Sequence, residues 1–283
     1  MAPTYILTLS CSQRPGIVHA VSSFLFAHGC DIVEHQQFDD TTRDALFLRT
    51  EFLSAHDPDA ADLSAAFGRE VAGKFGMSYT LDRDRPQRAL VMVSRMGHCL
   101  NDLIFRWRAG SLRTQLVAVV SNHEDLRPMA EVANLPFIHV PVTIDTKPEA
   151  EQRLIEMAQQ YDVDFVVLAR YMQVLSDSLC RKLHGRAINI HHSFLPGFKG
   201  AKPYHQAYDR GVKLVGATDH YVTSDLDEGP IIEQEVIRID HAFDPRALAT
   251  VGQDAEALAL SRAVRWHSER RVLLYGRSTV IFR

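Results

Sequence analysis

Residues 188 to 196 read Ile-Asn-Ile-His-His-Ser-Phe-Leu-Pro, and residues 224 to 230 read Ser-Asp-Leu-Asp-Glu-Gly-Pro. The stretch Ala187 to His191 alternates like a strand that breaks at Pro196. On a strand, side chains two apart share a face. Asn189 and His191 therefore point the same way, and His192 is expected on the opposite face. An amide and an imidazole side by side can polarise a carbonyl and hold the oxyanion that follows. Asp227, in a Gly-Pro loop, can supply the base and proton carrier. A lone Asn-x-His is commonly structural, and Asp-Glu-Gly also suits a plain tight turn. The order and spacing of the elements set them apart from either case.

The set resembles the folate-dependent formyltransferase family. The matches are Asn189, His191, Ser193, Leu195 and Pro196, followed by Asp225, Asp227 and Gly229. Leu168 to Leu175, reading Leu-Ala-Arg-Tyr-Met-Gln-Val-Leu, is similar to the stretch that lines the family's folate pocket. The resemblance spans roughly residues 88 to 283. It implies catalytic roles for Asn189, His191 and Asp227. It implies substrate contacts from Arg170, Met172, Val174, Leu175, Ser193, His220 and Gly229. His220 matches a family position near the site, where it would hold Asp227 or a water. Lys199 and Lys202 flank the motif and could meet substrate carboxylates, although solvated surface lysines are the commoner case.

The elements that position these residues fall into two domains. Residues 1–82 read β-α-β-β-α-β, which suits an antiparallel sheet with two helices on one face. This α+β ferredoxin-like module resembles the ACT domain, a small ligand-binding regulatory unit. The resemblance rests on Arg14-Pro15-Gly16-Ile17-Val18 and on the Gly29-Cys30-Asp31-Ile32 turn. It implies an amino-acid effector site at Gly16, Ile17 and Asp31, where backbone N–H groups at a helix start can hold a carboxylate. Gln13 and Asp31 depart from the family's usual Asp and Asn. An oligomer interface is the alternative role, and a homo-oligomer is expected. The charged, Pro-containing residues 83–88 read as a linker. Residues 89–283 alternate strands and helices, the pattern of a doubly wound, mainly parallel α/β domain. The last long helix is expected over Pro245 to Tyr275.

Composition bounds the chemistry. The 283-residue chain is 46% hydrophobic and 23% charged with net charge −4, so a broad nucleic-acid surface is not expected. The four cysteines form no Cys-x-x-Cys pair, which fits a reducing cytoplasm. The N-terminus lacks a signal-peptide layout, and no apolar run approaches the ~20 residues of a membrane span. His191 and His192 as strand neighbours face apart, and no Cys/His/carboxylate group has ligand spacing along the chain, so no metal is expected. No cofactor is expected either.

The loop Ser94 to Asp102 bears on the formyl acceptor. Ribonucleotide formyltransferases carry a glycine-rich loop here that cradles the acceptor's phosphate, since glycine lets backbone approach closely. This chain has one glycine, Gly97, among the bulkier Arg95, Met96 and His98. Water is the simplest substitute acceptor. An ACT-like module joined to a formyltransferase-like one resembles a branch that hydrolyses 10-formyltetrahydrofolate to formate and tetrahydrofolate, balancing one-carbon pools and purine synthesis. That hydrolysis is the expectation. The alternatives are a formyltransferase with an unrecognised amine acceptor and a catalytically silent folate or amino-acid sensor.

Overall fold

A computed structural model describes residues 2–195 and 203–283. Pro196, Lys199 and Lys202 lie outside the described residues. The chain divides into two compact units.

The first unit comprises Met1–Arg85 with Arg270–Leu273 and Val280–Arg283. Its strands are β1 (Thr4–Cys11), β2 (Cys30–Asp40), β3 (Ala45–Ser54) and β4 (Ser78–Arg83). They pair antiparallel in the order β2-β3-β1-β4. Helix α1 (Ile17–Ala27) follows β1, and α2 (Ala60–Phe67) runs through a π-helical turn at Gly68–Ala72 into α3 (Gly73–Phe75). Asp59 caps α2 by accepting from the Ala61 and Asp62 amides. Leu7, Leu9, Val21, Phe24, Phe67 and Leu81 build the core. Arg271 joins this unit through Glu34, 2.9 Å away, which also pairs with the buried Arg49 at 2.6 Å.

The second unit comprises Pro86–Glu269 and Leu274–Thr279. Its large sheet contains β5 (Gln87–Val93), β6 (Thr114–Ser121), β7 (Phe137–His139), β8 (Phe165–Leu168), β9 (Ala187–His191), β10 (Leu214–Tyr221) and β11 (Ile231–Arg238). Helices α4 (His98–Arg108), α5 (Arg127–Val132), α6 (Lys147–Gln160), α7 (Asp177–Lys182), α8 (Pro203–Asp209) and α9 (Pro245–Ser268) connect or follow them. The strand order is β11-β10-β9-β8-β5-β6-β7. Strands β5 to β9 pair parallel, and β10 pairs antiparallel with β9 and β11. Ala89 to Val93 is buried throughout, as a central parallel strand covered on both faces must be. The order reverses between β5 and β8, so a crevice is expected beyond the carboxyl ends of those strands.

Several boundaries differ from the expected ones. Arg83 ends β4 and Gln87 and Arg88 begin β5, so only Asp84, Arg85 and Pro86 lie between the strands. Charge alone reads as loop, yet an edge strand such as β4 tolerates charged side chains on its open face. The long helix stops at Ser268 rather than Tyr275, because Arg270 takes a left-handed φ of 53°. The β-rich Val272–Tyr275 (β12) then pairs with Ser278–Ile281 (β13). Helix α8 was not expected from the sequence. Among the described residues no helix is long and apolar enough to cross a membrane.

Candidate active site

Strand β9 carries the site. Asn189 is paired with His220 across β10, and His191 with Thr218. Directly opposed residues share a face of the sheet, so register brings His220 to Asn189. The Asn189 Nδ2 to His220 Nε2 distance is 3.3 Å. The other ring nitrogen, Nδ1, lies 3.0 Å from the Tyr221 carbonyl oxygen. A carbonyl only accepts, so Nδ1 carries the proton and Nε2 accepts from the Asn189 amide. Burial lowers the His220 pKa, partly opposed by that carbonyl bond, which keeps the ring neutral and in this tautomer.

His191 is buried, and its Nδ1 lies 3.2 Å from Asp227 Oδ1. The hydrogen bond from His191 holds the Asp227 carboxyl below the usual carboxylate range, against a smaller opposing effect of burial. His220 Nε2 is 3.9 Å from the same oxygen, too far for a hydrogen bond. His220 thus holds Asn189 rather than Asp227. Asp227 sits at φ 56°, a left-handed conformation that Asp accommodates better than most residues. Gly229 packs this loop onto β10: a Cβ there would lie 1.7 Å from the Tyr221 carbonyl oxygen.

These groups face a cavity of about 520 Å³, within the size range of small-molecule sites. Arg170, Met172, Val174 and Leu175 line it together with Asn189, His191, His220 and Asp227. Met172 is placed by its backbone N–H, which donates to Ser94 Oγ at 3.0 Å. Ser94 in turn donates to Asn122 Oδ1 at 2.7 Å. Arg170 also adopts a left-handed φ, 64°, just beyond β8. Arginine is poorly suited to that region, and such strain concentrates at functional sites.

Other expected residues fall elsewhere. His192 was expected to face away from His191. The strand ends at His191, so strict alternation ends with it, and His192 lines the same cavity with its ring 5.2 Å from that of His191. Burial, and then the Arg170 charge, lower its pKa to about 4. Ser193 and Gly229 are not among the cavity's lining residues. The Ser193 carbonyl accepts from Thr218 Oγ1 at 3.0 Å. In the first unit, Gly16 takes φ 93° at the start of α1, Ile17 is buried in the core, and Asp31 is exposed on β2.

The sequence reading missed a second polar cluster. Glu256 on α9 accepts from His98 Nε2 at 2.7 Å and from the Tyr204 hydroxyl at 2.7 Å. Arg170 Nε pairs with the same carboxylate at 3.3 Å. His98, Cys99 and Glu256 offer ligand atoms within 4.8 Å of one another, a grouping invisible in chain spacing. Both Glu256 oxygens are already engaged, and burial pushes the Cys99 thiol well above its usual pKa, away from the thiolate that binds metal. Glu256 itself left one trace in the sequence, a carboxylate on the apolar face of a long helix.

Residues 87–264 match the family model described as formyl transferase. A formyltetrahydrofolate deformylase from Corynebacterium sp. (strain P-1) is 52% identical over 280 residues, covering 99% of this chain and 98% of its own. That of Bacillus subtilis (strain 168) is 47% identical, covering 98% and 93%. The crystal structure of formyltetrahydrofolate deformylase from Burkholderia mallei ATCC 23344 superposes with a TM-score of 0.93 at 48% identity, covering 99% of this chain and 100% of that one. Glycinamide ribonucleotide transformylase 1 from Symbiobacterium toebii superposes over 70% of this chain and 95% of its own, with a TM-score of 0.66 at 29% identity. With near-complete coverage by the first three, the chain belongs to the formyltetrahydrofolate deformylase family.

Proposed function

We propose that the Asn189, His191 and Asp227 cluster hydrolyses 10-formyltetrahydrofolate to formate and tetrahydrofolate, with water as the formyl acceptor. The observation that carries this reading is the ionised Asp227 carboxylate, hydrogen-bonded to His191 and facing the same cavity as an amide donor held by His220. The folate binds along Arg170, Met172, Val174 and Leu175 with its formyl carbon over Asn189 and His191. A water adds to that carbon. Its proton passes to Asp227, directly or through His191, and the carbonyl oxygen becomes an oxyanion held by Asn189 and His191. The C–N10 bond then breaks, and the proton held at Asp227 is delivered to N10. Formic acid leaves and loses its proton to solvent. Every step is met by side chains of this chain, and none calls for a metal or cofactor.

The first unit is an ACT-type module in this reading. Its antiparallel sheet order and the left-handed Gly16 at the start of α1 support that assignment. A small amino acid would bind near Gly16 and Asp31, where two copies of the chain pair as a homo-oligomer. The four cysteines are free, which suits work in the reducing cytoplasm.

The deciding experiment incubates the full chain with 10-formyltetrahydrofolate and no added acceptor, and follows formate. Catalytic formate release is the expected result. Formyl turnover that occurs only when an amine is added would make the enzyme a transferase instead.

A further inference from the structure

A doubly wound sheet takes ligands in the crevice where its strand order reverses. In this chain the protein's own side chains meet beyond β5 and β8. His98 opens α4 after β5, Arg170 follows β8, and Glu256 reaches both from α9. One Glu256 oxygen faces His98 Nε2 at 2.7 Å and Arg170 Nε at 3.3 Å, and the other accepts from the Tyr204 hydroxyl at 2.7 Å. Glu256 is 1% exposed. Burial pushes its carboxyl up, but the His98 bond and the Arg170 charge outweigh that, so it stays ionised. A buried carboxylate with both oxygens engaged is a fixed plug, since separating it from its partners would strand a charge out of water.

A second observation is independent of the first. Gly252 stands one turn before Glu256 in α9, and a Cβ there would lie 2.0 Å from the Tyr204 hydroxyl. Glycine weakens a helix interior, so its presence needs a reason. The reason here is room for Tyr204, which is laid across α9 to reach Glu256. The Tyr204 ring also lies 6.5 Å from that of His192, whose own ring is 5.2 Å from His191. His192 therefore links the plug to the reacting His191. Arg170 Nη1 and His98 Nδ1 make no hydrogen bond among the described residues, the first a donor and the second an acceptor because Nε2 carries the proton given to Glu256.

We propose that Glu256, held by His98, Tyr204 and Arg170, is a specificity latch that keeps an amine acceptor out of the switch-point crevice and so leaves water as the nucleophile. The inference rests on the hydrolase reading above. The chemistry balances with either nucleophile. One new bond forms to the formyl carbon, from oxygen in water or nitrogen in an amine. The C–N10 bond breaks, and the nucleophile's proton ends on N10.

The test uses the full chain with 10-formyltetrahydrofolate, with and without glycinamide as a small primary amine, and quantifies formate and N-formylglycinamide. The wild type is expected to yield formate at the same rate whether or not glycinamide is present. Tyr204→Ala and Glu256→Ala are expected to shift the product ratio toward N-formylglycinamide by roughly tenfold or more. Tyr204→Phe, which deletes one hydroxyl and spares the packing, is expected to shift it in the same direction by less. It carries the test if the larger truncations do not fold. General damage would lower both products together and leave their ratio alone, so an unchanged ratio in variants that still turn over overturns the latch. Formate release by the wild type without amine is a separate readout, and its absence strikes the hydrolase reading instead.

Discussion

His220 and Asn189 are joined by a 3.3 Å hydrogen bond in which the histidine is the acceptor, because its other nitrogen is committed to the Tyr221 carbonyl. The amide is thereby oriented before any substrate arrives, and its second N–H is left for a developing oxyanion. Losing one preorganised donor of this kind costs roughly 100- to 1,000-fold in turnover. Asn189→Ala is expected to fall in that range, with KM nearly unchanged. Steady-state kinetics decide it. A defect confined to KM would make Asn189 a substrate-positioning residue.

Asp227→Asn keeps the shape of the side chain and removes its basicity. General acid–base groups contribute about 100- to 10,000-fold, so formate release should drop by that order while the folate still binds. Binding by titration and turnover by formate assay separate the two effects. Near-normal turnover would remove Asp227 from its role.

The pH profile follows from the same pair. The His191 bond lowers the Asp227 pKa, so the carboxylate survives below the ordinary value of about 3.9. A base works deprotonated, so its activity is lost only as pH falls through that lowered value. The associated stability has the same sign, present above the unfolded pKa and lost as pH falls through the folded one. His192, lowered to about 4, is neutral throughout the working range. The dependence of kcat/KM on pH should therefore show no Asp227 limb above about pH 4. An acid limb nearer neutrality that vanishes in Asp227→Asn would contradict this.

Asp219 is fully buried on β10, and neither of its oxygens has a hydrogen-bond partner among the described residues. Burial first, then nearby Glu233 and Glu256, push its pKa well above the usual range. A raised carboxyl pKa makes the folded state hold the extra proton, so stability falls as pH rises from the unfolded value through the folded one. Asp219→Asn removes that dependence. Its unfolding free energy should exceed the wild type's by about 1–3 kcal/mol at pH 8, with the gap closing toward pH 4. Denaturant titrations at both pH values measure it, and a gap that does not change with pH would show that Asp219 does not titrate this way.

Prolonged chelation is expected to leave formate release intact. The His98, Cys99 and Glu256 group is drawn together by hydrogen bonds and an arginine. Activity lost on chelation and restored by a divalent ion would turn this group into a metal centre.

The placement of the candidate groups was readable where it depended on local geometry. The two-residue strand period puts Asn189 and His191 on one face, and the Gly-Pro loop marks Asp227 as a turn carboxylate. The change of pattern near β5 separates most of the two units, but Arg270–Leu273 and Val280–Arg283, expected in the second, belong to the first, because ion pairs such as Arg271 with Glu34 are set by tertiary contact and not by chain order. What stayed hidden depended on pairs brought together from distant parts of the chain. His220 reaches Asn189 because β10 pairs antiparallel with β9 in one register, and a shift of one residue would turn it to the other face. His192 lines the cavity because the strand ends one residue before it. Glu256, His98, Tyr204 and Arg170 come from α9, α4, α8 and the end of β8, and no spacing rule links them. Residue types and local periodicity state which groups can do chemistry; sheet register and helix packing state which of them meet, because those contacts are fixed by long-range burial rather than by neighbours in the chain.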